Sequence, residues 1–146
     1  MGLRPQRWQL IALYATATLL VLSGAAWISA HFFMRSVGEG GMELPNPLEA
    51  WMLRLHGIVA YAGLFVFGSM SATHIVTGWR LRRNRWSGVT LTLCLTVLAG
   101  TALLLYYAPE DWHASASALH WGLGFAAVLV FWKHRRGRQS SRAPHP

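Results

Sequence analysis

Four stretches of the chain run almost without polar interruption: Trp8 to Ala30, Gly57 to Trp79, Val89 to Tyr107 and Ala114 to Trp132. Each is long enough for an α-helix to cross a hydrocarbon layer of about 30 Å, which takes roughly 20 residues. The pattern predicts four helices at about 8–31, 48–79, 87–107 and 112–135, forming one domain over 1–136 with a disordered basic tail at 137–146. Local signals sharpen the boundaries. Asn46 can cap the second helix, Pro47 suits its first position and Glu49 can reach back to complete a capping box. Pro109 stops the third helix, Asp111 is placed to cap the fourth, and Gly137 is placed to end it. Gly38, Gly40, Gly41 and Pro45 make the 35–46 connection an irregular loop, whereas the short link from Arg80 to Ser87 forces the second and third helices to be antiparallel neighbours. Trp8, Trp27, Trp51, Trp79, Trp86, Trp112 and Trp132 all fall near helix ends, where indole rings settle at the headgroup level.

Composition turns these helices into membrane spans. Of 146 residues 53% are hydrophobic and only 12% charged, and the spans leave no room for a soluble catalytic domain. The first run has about 23 apolar residues where a signal-peptide core has roughly 7 to 15, so it reads as a retained helix. The formal charge of +8 invites a nucleic-acid reading until its distribution is considered. Arg4, Arg7, Arg80, Arg82, Arg83, Arg85, Lys133, Arg135, Arg136, Arg138 and Arg142 all fall on one side of the four spans. Glu39, Glu43, Glu49, Glu110 and Asp111 fall on the other, with Arg35 and Arg54. Basic loops stay in the cytoplasm. The expected fold is therefore an all-α integral membrane four-helix bundle, up-down-up-down, multi-pass in the inner (cytoplasmic) membrane, with both termini cytoplasmic. Its partner is the lipid bilayer and not nucleic acid. The single cysteine, Cys94, lies mid-span as a small apolar filler, which excludes a disulfide framework and a CxxCH attachment motif.

Seven histidines are conspicuous in so apolar a chain, because ionisable groups inside a membrane are costly and default to a functional role. His56 and His74 are 18 residues apart on the second helix, five whole turns at 100° per residue, and so share a face about 27 Å apart. His120 and His134 are 14 apart on the fourth, four turns less about 40°, separated by roughly 21 Å. The second and fourth helices run in the same direction, which puts His56 and His120 toward the exterior and His74 and His134 toward the cytoplasm. Facing imidazoles at one level are what a bis-histidine haem iron requires, and two levels make two haems. Gly24, Gly63, Gly68, Gly88, Gly100, Gly122 and Gly124 offer room for a flat macrocycle or for ordinary helix packing. Arg54 and Arg80 can meet haem propionates or serve as interfacial charges. The separations differ by about a helical turn, so a rival exterior cluster of His31, His56 and His113, binding one haem or a metal such as zinc, stays open. So do purely polar or packing roles. His145 lies in the tail.

Leu55-His56-Gly57, Gly68, Thr73-His74 and Gly78-Trp79-Arg80 resemble the paired-histidine second helix of small membrane b-type cytochromes of the cytochrome b561 and hydrogenase cytochrome b group, and of the four-helix DUF4405 family. Arg85-Trp86-Ser87-Gly88, Ala99-Gly100-Thr101 and Leu105-Tyr106-Tyr107 resemble the third helix of that group. Leu119-His120-Trp121, Gly122, Gly124 and His134 resemble its fourth. The likeness covers Leu55 to Arg136. It implies haem b held by histidines of the second and fourth helices, with transmembrane electron transfer as the activity. Arg7 stands before Trp8 where that group often has a histidine, and the 18-residue interval is longer than usual.

The function expected from these features is a dihaem membrane cytochrome. It would act as an electron-transfer subunit, not a stand-alone enzyme, between a quinol or a redox partner (a cytochrome c, a flavoprotein or an oxidoreductase subunit) and another redox protein. His56, His120, His74 and His134 are the expected axial ligands of the haem iron. Two alternatives of other classes remain: a small histidine-containing transporter or channel, weakened by the lack of Asp, Glu, Lys or Arg within the four apolar runs, and a structural anchor subunit without haem.

Overall fold

The computed structural model describes residues 5–80 and 85–140, the side chains of residues 72, 73 and 137–140 excepted. The chain is mostly helical: α1 (Arg7–Phe33), α2 (Pro47–Met70), a π-helical segment (Ser71–Ile75), α3 (Val76–Arg80), α4 (Arg85–Tyr107) and α5 (Glu110–Ser140). Four of these helices are long and apolar enough to cross a membrane. Their large side chains face outward. Ile11, Leu22, Phe65, Leu93 and Leu129 are each more than half exposed, while the buried apolar positions are few and mostly small, Ala30, Val59, Ala116 and Ala127 among them. An exterior of this kind belongs in hydrocarbon, where each helix satisfies its own backbone.

The chain divides into two compact units, residues 1–74 and 75–146. In the first, Gln9 meets Ser69, Ser23 meets His56 and His31 meets Glu49. Positions that climb along α1 fall along α2, so the two helices form an antiparallel hairpin. In the second, Ser87 meets His134, Thr101 meets His120 and Ala108 meets His113, which makes α4 and α5 a second antiparallel hairpin. Near its start the Arg85 guanidinium donates to the carbonyl of Trp79 at 2.6 Å and lies over the Trp79 ring.

The cap expected for α2 is present. Asn46 Oδ1 accepts from the Leu48 amide at 2.9 Å, and Glu49 Oε1 accepts from the Asn46 amide at 3.3 Å. Other boundaries differ from expectation. The 35–46 connection carries a small antiparallel ladder, with Ser36 opposite Leu44 and Val37 opposite Glu43. Gly40 and Gly41 close it at φ of 82° and 77°, a region that side chains disfavour. The fourth span begins at Glu110, so Asp111 lies in its first turn beside Glu110 instead of capping it, where both carboxylates suit the positive end of the helix dipole. α5 also runs through Gly137 to Ser140. One glycine costs about 1 kcal/mol against alanine, and Arg138 and Gln139 after it are good helix formers. Residues 81–84, in the expected tight link, and 141–146, with His145, lie outside the described residues.

The main departure concerns the second span. Instead of one α-helix over 48–79, the α ladder gives way to π geometry at Ser71–Ile75. Ser69 Oγ donates to the Val66 carbonyl at 2.8 Å and Ser71 Oγ to the Gly68 carbonyl at 2.7 Å. Hydroxyls that bond back onto the preceding turn compete with the backbone amides and loosen the ladder there.

Candidate functional site

Three of the four proposed ligand histidines share one local arrangement. Nδ1 of His56 lies 2.9 Å from Ser23 Oγ of α1. Nδ1 of His120 lies 2.8 Å from Thr101 Oγ1, and Nδ1 of His134 lies 2.9 Å from Ser87 Oγ, both of α4. In each case the hydroxyl comes from the partner helix of the same hairpin, and the imidazole is half-buried. The arrangement follows from register. Ser87 and Thr101 are 14 residues apart, as are His120 and His134, so one antiparallel alignment brings both pairs together.

Glycines sit beside two of these contacts. A Cβ built on Gly24 would stand 3.4 Å from Cε1 of His56, and one on Gly88 would stand 3.7 Å from Cε1 of His134. The rings therefore lie close against the opposing backbone, within ordinary contact of a methyl group. Gly68, Gly100, Gly122 and Gly124 are different, because an added Cβ at any of them meets nothing within 4 Å.

His74 lies within the π segment, half-buried. It follows Ser69 by five residues, and Ser69 is already level with Gln9 in the first turn of α1, so His74 sits at the level of that helix's beginning. The five-turn alignment of His56 with His74 assumes unbroken α geometry. Taking up an extra residue turns the following chain by as much as about 100° relative to that assumption and shortens the rise by about 1.5 Å. The 18-residue spacing alone therefore does not put His56 and His74 on one face.

The remaining described histidines are held at the loops. His31 Nδ1 lies 2.9 Å from Glu49 Oε2 and 2.9 Å from Arg35 Nη2, and its ring stacks on Trp27 at 4.7 Å between centroids. Arg35 also pairs with Glu43 at 3.0 Å. This network ties the end of α1 to the start of α2. His113 Nε2 donates to the Ala108 carbonyl at 3.0 Å and closes the turn between α4 and α5. Among the described residues no three His, Cys, Asp or Glu side chains gather to hold a metal ion.

Sequence reasoning missed the hydroxyls. Ser23, Ser87 and Thr101 stood in view as neighbours of glycine, in Ser23-Gly24, Ser87-Gly88 and Gly100-Thr101, yet only the matched 14-residue intervals signal their role. Gln9 was also missed. It is 6% exposed, and its amide donates to the carbonyl and hydroxyl of Ser69 at 3.2 and 3.3 Å.

The residues fit a haem in donor chemistry. Imidazole nitrogen is a natural axial ligand for haem iron, and histidines that ligate metals characteristically have their second ring nitrogen hydrogen-bonded by the protein. No family model matches the chain, and no curated protein or solved structure is significantly similar to it.

Proposed function

We propose that the chain is a membrane b-type cytochrome, in which His56, His74, His120 and His134 are axial ligands of two haems b and electrons pass between a quinol or redox partner and another redox protein. The observation that carries this reading is the recurrent hydroxyl on Nδ1 of His56, His120 and His134. Glycines whose Cβ positions meet no protein atom add support, since packing within the hairpins does not account for them.

Bound haem would supply one-electron chemistry at a potential tuned by its ligands and burial. The chain's own contribution is to present imidazoles from helices fixed in register, to hold each ring against the opposing backbone and to keep water away with an apolar exterior. Arg54, which lies over the Trp51 ring at 5.2 Å, and Arg80 are available to propionate groups. The basic residues at the N terminus, between the second and third spans and after the fourth orient the bundle with both termini in the cytoplasm, up-down-up-down in the inner membrane.

Pyridine haemochrome stoichiometry of the purified protein, with His56, His74, His120 and His134 changed singly to Ala, tests the assignment. Two haems per chain in the parent and a loss toward one in each variant are expected. A colourless protein from haem-replete cells overturns the proposal and leaves the competing view, in which the imidazoles only fasten each hairpin.

A further inference from the structure

The hydroxyls of Ser23 and Thr101 are unusual in being nearly inaccessible, at 2% and 3% exposure, and in having their own protons already committed. Ser23 Oγ donates to the Leu19 carbonyl at 2.7 Å, with the Leu20 carbonyl at 3.2 Å. Thr101 Oγ1 donates to the Leu98 carbonyl at 3.0 Å. A hydroxyl has one proton to give and lone pairs to accept with. With that proton on its own helix, each oxygen faces the imidazole as an acceptor, so Nδ1 of His56 and of His120 carries the hydrogen.

We infer that Ser23 and Thr101 are positioning residues that hold His56 and His120 as Nδ1–H tautomers, with the lone pair on Nε2, and thereby set the donor strength of both rings toward a metal centre. The inference rests on the proposed haem ligation for its purpose, but its geometry is independent of it. Each relay runs from a backbone carbonyl through a buried hydroxyl to Nδ1–H. Accepting that hydrogen bond pushes electron density into the ring, which strengthens Nε2 as a ligand and favours the more highly charged ferric iron. Exchange with the other tautomer is opposed, because an unprotonated Nδ1 would face an oxygen whose proton is already engaged. The two histidines expected at the exterior level thus receive the same control from different helices, α1 for one and α4 for the other.

Two readouts separate this inference from the haem proposal. Nitrogen-15 NMR of histidine-labelled full-length protein prepared without haem reports the tautomers directly. His56 and His120 are expected as Nδ1–H forms, shifting toward a mixture in Ser23→Ala and Thr101→Val respectively, while Ser23→Thr and Thr101→Ser keep the parent signal. In haem-loaded protein, removing either hydroxyl is expected to weaken ferric relative to ferrous binding about tenfold, a rise of about 59 mV in one titrating component for a one-electron couple, again restored by the hydroxyl-retaining variants. An Nε2–H tautomer in the parent, or tautomers and potentials indifferent to all four substitutions, overturns the inference. Absence of haem from the parent removes the proposed function, and the tautomer measurement still decides whether the hydroxyls act as positioning groups.

Discussion

Ser87 of α4 and His134 of α5 meet at 2.9 Å, and 14 residues further along α4 Thr101 repeats the relation with His120. A single antiparallel register therefore explains both contacts, and it places Gly88 beside the first of them. The α1–α2 hairpin reaches the same solution once, with Ser23 and Gly24 beside His56.

Gly24 and Gly88 are each expected to tolerate a methyl group and no more. A Cβ at Gly24 reaches 3.4 Å from His56 Cε1 and one at Gly88 reaches 3.7 Å from His134 Cε1, both ordinary contact distances. Gly24→Ala and Gly88→Ala should leave thermal unfolding in detergent nearly unchanged. Gly24→Leu and Gly88→Leu should destabilise by about 1–3 kcal/mol, as overpacking does, and should lower haem content along with stability. Equal melting temperatures for Ala and Leu would show that the rings do not rest on the backbone.

Gln9 anchors the α1–α2 hairpin at the end opposite the loop. Interhelical hydrogen bonds in membranes contribute about 0.6 kcal/mol on average and up to about 1.7 kcal/mol, and Gln9 makes two to Ser69. Gln9→Leu should cost about 1 kcal/mol, seen as faster hydrogen exchange at the start of α1 with α4 and α5 unaffected. A loss spread evenly over all four spans would contradict the assignment of this contact to one hairpin.

Asn46→Ala removes the side-chain acceptor that caps the Leu48 amide of α2, while the backbone amide of residue 46 can still donate to Glu49. The expected destabilisation is about 1 kcal/mol, concentrated in the first turn and read by amide exchange at Leu48 and Glu49. Asn46→Asp should retain most of the stability, because a carboxylate also caps and suits the helix dipole.

Orientation is open to a direct check. A fluorescent protein that matures only in the cytoplasm, fused after Pro146, should fluoresce, and alkaline phosphatase fused at the same place should be inactive. The same reporters inserted after Gly41 should give the reverse. Matching results at both sites would contradict an arrangement with the termini inside and the 35–46 connection outside.

The long elements were legible because their causes are local. Length and hydropathy located all four spans, although the second leaves α geometry after Met70 where one helix to 79 was expected, and the Asn46, Pro47 and Glu49 signature marked the start of α2, since a cap is made by neighbours in the chain. What escaped notice depends on which residue arrives opposite. Nothing near Ser23 announces His56, and the Ser87 and Thr101 contacts emerge only when two intervals on different helices are compared. The π segment was hidden for another reason. Ser69 and Ser71 look like ordinary small residues in an apolar run, and their effect lies in the carbonyls they engage one turn earlier. Gly137 does not stop α5, because one weak residue does not outweigh good helix formers on either side.

The placement of each hydroxyl within its own hairpin bears on biogenesis. For His56, His120 and His134 the Nδ1 atom finds its partner on the adjacent helix of the same pair, so a nascent hairpin enters lipid with that nitrogen already accommodated. Neither pair must wait for the other to shelter this polar atom, and successive release of two self-sufficient pairs from the insertion machinery follows from the order in which they are synthesised.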